Sequence, residues 1–263
     1  MKKIAERVYM TVIFAFLYIP IIVLIVNSFN ASKSRTVWTG FTFDWYKKLF
    51  SNQTILASLG NTLIIALIAS VVATVIGTAA SIGIFNMRKI TRSIIMNVTY
   101  IPLVNPEIVT GVSLMLLFVS GRINFGYTTL ILSHITFCTP YVILSVLPKL
   151  RQTNKYIYES ALDLGCDPFK AFLKVVVPEI MPGIITGFLI SLTYSIDDFV
   201  ISYFTYGPTS QTLSITIFSM TRRKVSPEIN ALSAIIFVIV LAVLLIMNIK
   251  DIRKVKKEGD DYI

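Results

Sequence analysis

The sequence predicts an all-α integral membrane protein with six transmembrane helices. Three observations carry that prediction. Hydrophobic residues make up 55% of the 263 and charged residues only 14%, against roughly 25% charged in an ordinary soluble domain. The mean hydropathy is +0.75. The apolar residues also fall in runs of about 18 or more, long enough to cross the hydrocarbon of a bilayer as helices.

The six runs are Val8–Phe29, Thr62–Phe85, Ser93–Val119, Tyr127–Leu147, Gly183–Tyr203 and Ala231–Ile249. The first contains Pro20, is too long for the apolar core of a signal peptide and has no small-x-small cleavage site after it. It reads as a retained helix. The third carries Pro102, Pro106 and Glu107, and the fifth carries Asp197 and Asp198. These two are the imperfect spans. An even number of spans puts both termini on one side. With the N-terminus inside, sixteen Lys and Arg fall on cytoplasmic segments and eight outside, so positive charge puts both termini in the cytoplasm. Arg222, Arg223 and Lys224 oppose that rule locally.

The net charge of +10 follows from this topology. No cationic stripe interleaved with aromatics points to nucleic acid. Cys138 and Cys166 have no framework spacing and no metal-ligand neighbours, and they read as free thiols. The single histidine, His134, lies with Thr136 inside an apolar run and reads as a satisfied interior contact. Ala66, Ala69, Ser70, Ala73, Gly77 and Ala80 recur near every fourth position of the second run, a pattern that lets helices pack closely. The stretch Phe41–Phe50 mixes aromatics with Lys47 and Lys48, which suits an interfacial helix at headgroup level or a plain anchoring loop.

The segment 148–182 is too long for a plain connection. Lys155–Leu164 reads as a helix with Ile157, Ala161 and Leu164 on one face. Gly165 suits a left-handed C′ position. Asp167 and Pro168 suit the cap and first residue of a second helix that stops near Pro178. Such a hairpin either docks into a partner or lies solvated. The chain has no G-x-x-x-x-G-K-[ST] loop to cradle phosphate. It also has no H-E-x-x-H, G-x-S-x-G or G-x-G-D motif of an intramembrane enzyme.

Glu159-Ser160-Ala161, three residues, Gly165, nine residues and then Val175-Val176-Val177-Pro178 resemble the EAA motif of ABC importer permeases. Ser160 stands for an alanine, and Val175 and Val177 for Ile and Leu. Further stretches, Tyr18–Leu24, Asn27–Asn30, Ser133–Cys138, Asp197-Asp198, Tyr206-Gly207-Pro208 and Ser226–Ala231, are similar to the second permease subunit of the spermidine/putrescine transport family. The resemblance covers nearly the whole chain. It implies a type I ABC importer permease (MetI-like) fold in a bacterial inner membrane and a transport subunit, not an enzyme. It implies a first helix and interfacial segment over 1–56, a permease core over 57–249 with a coupling loop at 148–182, and a cytoplasmic tail over 250–263. Expected partners are a second permease subunit of like fold, two ATPase subunits, an extracytoplasmic polyamine-binding protein and membrane lipid, with ATP bound by the partner and no cofactor here. By the same resemblance Glu159, Ser160, Ala161, Asp163, Gly165 and Pro178 belong to the ATPase-coupling loop.

Charged side chains at a helix centre cost about 2.5–3.5 kcal/mol or more on insertion scales. They persist where they face a cavity, water or a partner. Adjacent residues on a helix project about 100° apart, so Asp197 and Asp198 cannot both face lipid cheaply. Glu107 follows Pro106, where the helix is loosened. Asp197, Asp198 and Glu107 are therefore candidates for a translocation path, since carboxylates would compensate the ammonium groups of a polycation. The competing reading pairs them with Arg222, Arg223 or Lys224, or sets them at the outer interface. Two alternatives to the polyamine reading are a permease for another small solute and a stand-alone secondary transporter, for which the loop would have no purpose.

Overall fold

The computed structural model describes residues 2–33, 37–223, 227–239 and 241–242. The tail 250–263, the far end of the sixth run and Lys224 lie outside the described residues. Those described are helical almost throughout, apart from one isolated β-bridge between Asn30 and Phe41.

The helices are α1 (Lys2–Ser28), α2 (Asp44–Ser51), α3 (Gln53–Asn86), α4 (Lys89–Val104), α5 (Glu107–Ser120), α6 (Tyr127–Gln152), α7 (Lys155–Asp163), α8 (Pro168–Ala171), α9 (Val177–Asp197), α10 (Val200–Thr205) and α11 (Leu213–Arg223). A shorter apolar helix, α12 (Pro227–Ile239), follows. Among the described residues four helices are long and apolar enough to cross a membrane, or five if α4 and α5 count as one broken span. The sixth run is represented by α12 alone.

Two of the predicted runs are not straight crossings. The third is broken into α4 and α5, which meet at 104°. Asn105 and Pro106 are both extended (ψ 142° and 134°), because the Pro106 ring excludes the helical conformation from the residue before it. The fifth does not run on to Tyr203. It ends at Asp197, Asp198 is extended (ψ 128°), and α10 starts afresh at Val200. The expectation that Asp197 and Asp198 sit 100° apart on one helix is therefore wrong, because Asp198 is not helical.

The structure also corrects the expectation that the second hairpin helix stops near Pro178. From Pro168 to Asp197 the chain is continuous helix, carried past Pro178 by a π-turn over Phe172–Val176 in which Val177 N–H donates to the Phe172 carbonyl. A proline lacks the N–H for the bond to residue i−4 and its ring clashes with that carbonyl. Placing the wider π-turn just before Pro178 relieves both faults.

The chain divides into two compact units, Met1–Leu56 with Ile217–Ile263, and Ala57–Thr216. In the first, α2 buries Trp45 and Leu49. Trp45 Nε1 donates to the Asn30 carbonyl (2.6 Å), and Asn52 Nδ2 donates to Glu228 Oε2 (2.9 Å). In the second, α3, α6 and α9 pack through small residues. Ala66, Ala69, Ser70 and Ala73 of α3 are wholly buried. Ala73 meets Phe137 and Cys138 of α6, and Ile84 meets Ile143 and Leu147. Against the same helix α6, Gly187 of α9 meets Val142 and Ser145, and Gly183 meets Lys149. Cys138 Sγ donates to the Ser191 carbonyl and Ser191 Oγ to the Cys138 carbonyl, which ties α6 to α9 at their crossing.

Gly77 shows how tight the α3–α6 contact is. A Cβ there would stand 2.6 Å from Val142 Cβ, a side chain pinned within the core. Gly77→Ala therefore forces the two helices apart, at about 1–3 kcal/mol by the general cost of overpacking. The purified protein should show a lowered thermal-unfolding midpoint, while the same change at Gly83, whose Cβ would meet nothing within 4 Å, should leave it no lower than wild type, since alanine is the better helix former.

Candidate functional site

The two helix breaks meet at one cavity of about 200 Å³. The first break contributes Pro102 and Glu107, and the second contributes Asp197, Asp198 and Phe199. Phe137 and Tyr141 of α6 and Tyr194 of α9 complete the wall. The three acidic residues predicted for a path are thus brought together, although ninety residues separate Glu107 from Asp197 in sequence.

The three carboxylates are not equivalent. Asp198 has a side chain only 5% exposed. Its Oδ1 accepts from Ile201 N–H (3.2 Å), and its Oδ2 from Ser202 N–H (2.7 Å) and Ser202 Oγ (2.6 Å). It therefore caps the first turn of α10, whose N–H groups have no partner within the helix. His134 Nε2 lies 3.5 Å from the same oxygen and 3.0 Å from Ser202 Oγ, and Nδ1 lies 2.6 Å from Ser195 Oγ. The ring is buried and edge-on to Phe137. His134 is the satisfied interior contact expected from sequence. Its position in α6 holds the cap that lets α9 end and α10 begin.

Asp197 and Glu107 are exposed and carry the cavity's accessible negative charge. The helix termini add no net charge to it. Here α4 and α9 present C-terminal ends, which carry about half a negative charge each, while α5 and α10 present positive N-terminal ends. Glu107 stands in the first turn of α5, and Asp198 caps α10. The four ends cancel, so the three carboxylates set the excess of negative charge, with Asp197 and Glu107 its accessible part. The cavity favours a cation. Arg222 lies over the Phe218 ring at 5.3 Å. Lys224 is outside the described residues, as is the Arg223 side chain.

The hairpin follows the predicted caps closely. Gly165 has φ +81°. Its N–H donates to the Leu162 carbonyl (2.8 Å), and Cys166 N–H donates to the Ala161 carbonyl (3.1 Å), the paired bonds of a Schellman motif. Asp167 Oδ1 accepts from Phe169 N–H (3.0 Å) and Lys170 N–H (3.2 Å), with Pro168 at the first helical position. Glu159, Ser160 and Asp163 are exposed and Ala161 is half-buried. Leu164 is 89% and Phe169 69% exposed, so the apolar tip has no cover among the described residues. Glu159 and Tyr158 border a groove of about 820 Å³ floored by Phe85, Leu150 and Phe172.

Three positions here were not singled out from sequence. Asn154 caps α7 by accepting from Tyr156 N–H (3.0 Å), and an Asn just before a helix was a readable signal. Arg92 in α4 donates to the carbonyls of Ile84, Phe85 and Met87 and closes the C-terminus of α3. Tyr194 stands three residues before Asp197, one helical turn away, a spacing that marks a shared face.

Two outcomes follow from this geometry. His134→Ala removes the ring that supports Asp198 and should cost about 1–3 kcal/mol, the usual penalty of stranding a buried polar partner. It would be read as a lower thermal-unfolding midpoint that His134→Gln partly restores. Gly165→Ala forces a Cβ into the left-handed region at about 1–2 kcal/mol. Amide exchange across 155–171 should accelerate, with exchange in α6 unaffected.

Comparison with known proteins gives a consistent picture. The family model described as "Binding-protein-dependent transport system inner membrane component" matches residues 73–252. Over 253 residues the chain is 37% identical to the spermidine/putrescine transport system permease protein PotC of Shigella flexneri, with 96% of each chain covered. It is 40% identical over 231 residues to the putrescine transport system permease protein PotI of Escherichia coli strain K12, covering 85% of this chain and 82% of the relative. Among solved structures, a bacterial ABC transporter involved in the import of the acidic polysaccharide alginate matches with a TM-score of 0.71, at 12% identity and 95% coverage of each chain. The alginate ABC transporter in complex with an alginate pentasaccharide-bound periplasmic protein matches at 0.68, with 18% identity and coverage of 93% and 91%. At those identities the likeness is one of fold.

Proposed function

This chain belongs to the binding-protein-dependent transport system inner membrane components, multi-pass permeases of ABC importers, and from that premise we propose that it moves polyamines, with Glu107 and Asp197 lining the path and the α7–α8 hairpin receiving the ATPase. It is a transport subunit, not an enzyme. The observation that carries the cargo reading is the cavity at the two helix breaks, where Glu107 and Asp197 are exposed and Asp198 is buried. The relatives named for spermidine and putrescine support the same class of cargo.

The mechanism follows from charge and geometry. An ammonium group leaving water loses hydration that only opposite charge or dipoles can replace. Glu107 and Asp197 offer that charge from opposite breaks, so a flexible chain with cationic ends can touch one while leaving the other. Asp198 is committed to α10 and His134, and it keeps the second break in shape. Broken helices at membrane depth are tolerated where they line a cavity, and this cavity has that character.

Coupling is assigned to the hairpin of Glu159, Ser160, Ala161, Asp163, Gly165 and Pro178. Its ends are fixed by three caps, its tip is apolar and exposed, and its second helix runs unbroken into α9. A docked partner that hydrolyses ATP would thus grip an element continuous with the cavity wall. The full assembly in this reading has a second permease of like fold, two ATPase subunits and an extracytoplasmic polyamine-binding protein. Both termini and the hairpin face the cytoplasm, as the positive charges favour.

The test is ATP-dependent uptake of labelled spermidine and putrescine into vesicles holding the complete complex. Asp197→Asn combined with Glu107→Gln should cut uptake at least tenfold while the subunits still copurify, and Gly165→Ala should lower ATPase copurification and uptake together. Undiminished uptake in the carboxylate variant would refute the path assignment. Uptake by this chain reconstituted alone would refute the coupling assignment.

A further inference from the structure

We infer that Tyr141 and Tyr194 form an aromatic wall that selects cargo by gripping the alkyl-ammonium segment as it passes between Glu107 and Asp197, a role that rests on the polyamine reading above. Tyr141 comes from α6 and Tyr194 from α9, and their rings stack 4.5 Å apart at 26°. Both line the cavity that the carboxylates share. Tyr194 is 46% exposed, so its ring is not wholly consumed by packing.

The chemistry distinguishes a polyamine from a compact cation. A metal ion or small inorganic cation is served by carboxylates alone. A polyamine alternates ammonium groups with methylene stretches, and the methylenes need an apolar surface in the same place that the ammoniums need negative charge. Tyrosine rings supply both, an apolar body for the methylenes and a negative π-face for the cation. The cavity volume of about 200 Å³ is below the roughly 300–1,000 Å³ of pockets that enclose drug-sized ligands. It suits a slender chain passing lengthwise past the wall, with part of its length in the cavity at a time. The stacked pair also bridges α6 and α9, the two helices that hold His134 and Ser195 behind Asp198. The wall is thus mounted on the most tightly joined pair of elements in this unit, and the carboxylates stand at the breaks beside it.

The experiment uses the complete complex in vesicles and measures spermidine uptake together with ATP hydrolysis stimulated by the binding protein. A Tyr194 ring desolvated against an ammonium contributes a two- to thirtyfold effect, the range expected of cation–π pairs of about 0.5–2 kcal/mol. Tyr194→Leu, which keeps apolar bulk but removes the π-face, should lower spermidine moved per ATP hydrolysed by about three- to tenfold, as should Tyr141→Leu. Tyr194→Phe should retain most of the wild-type ratio, which separates the ring from its hydroxyl. Leu and Phe variants that transport equally well would overturn the proposal and leave the tyrosines as packing alone. A Leu variant that fails to assemble is replaced by Tyr194→Met, of similar volume, and read in the same way. Wild-type vesicles that hydrolyse ATP but take up no polyamine would sink the polyamine reading itself, an outcome recognisable before any tyrosine is changed.

Discussion

The structure depends on how unpaired backbone is satisfied where two membrane helices are interrupted. Hydrocarbon offers no hydrogen bonds, so each interruption must be paired within the protein. At the second break the Asp198 carboxylate does this, accepting from Ile201 and Ser202 N–H and backed by His134. At the first, Pro106 has no N–H to lose, and its carbonyl accepts from Val109 N–H (2.9 Å) as α5 begins. These two economies allow a 104° bend and a fresh helix start beside one another. Everything about the cavity, its shape and its excess negative charge, follows from them.

A division of labour among acidic groups results. Three carboxylates in one small space would repel one another if all were free. One is consumed by a helix terminus and a ring nitrogen, which leaves the other two exposed at different helix breaks. The small residues of α3 matter for the same reason. By letting α3 and α6 approach closely, with Gly77 against Val142, they fix the helix that carries His134, and so fix the support for Asp198.

The parts legible in the sequence were those governed by local chemistry. The hairpin was readable because caps are short-range: Gly165 needs a left-handed turn, and Asp167 reaches N–H groups two and three residues on. The small-residue face of α3 and the buried His134 were readable from periodicity and position. The break at Asp198 was not, because no Gly or Pro marks it. It depends on His134, 64 residues earlier in the chain, and on Ser202. Pro106 marked the first break but could not set its angle. The π-turn before Pro178 was hidden because a proline in a helical pattern reads as a stop, and a single widened turn that cancels the stop leaves no compositional trace. Tyr141 and Tyr194 meet only because α6 and α9 pack, so neither alone announced a shared wall.

The unbroken course from Pro168 to Asp197 has a mechanical consequence. Thirty residues at about 1.5 Å each make a strut of roughly 45 Å, with no non-helical break between its capped foot at Asp167 and its far end beside the cavity. The π-turn and the interior Pro182 interrupt its regular winding, both in the half next to the foot. A thrust at the foot would arrive at Asp197 as displacement with little lost to bending, and a rotation would be partly absorbed on the way. Such a strut transmits pushing more faithfully than turning.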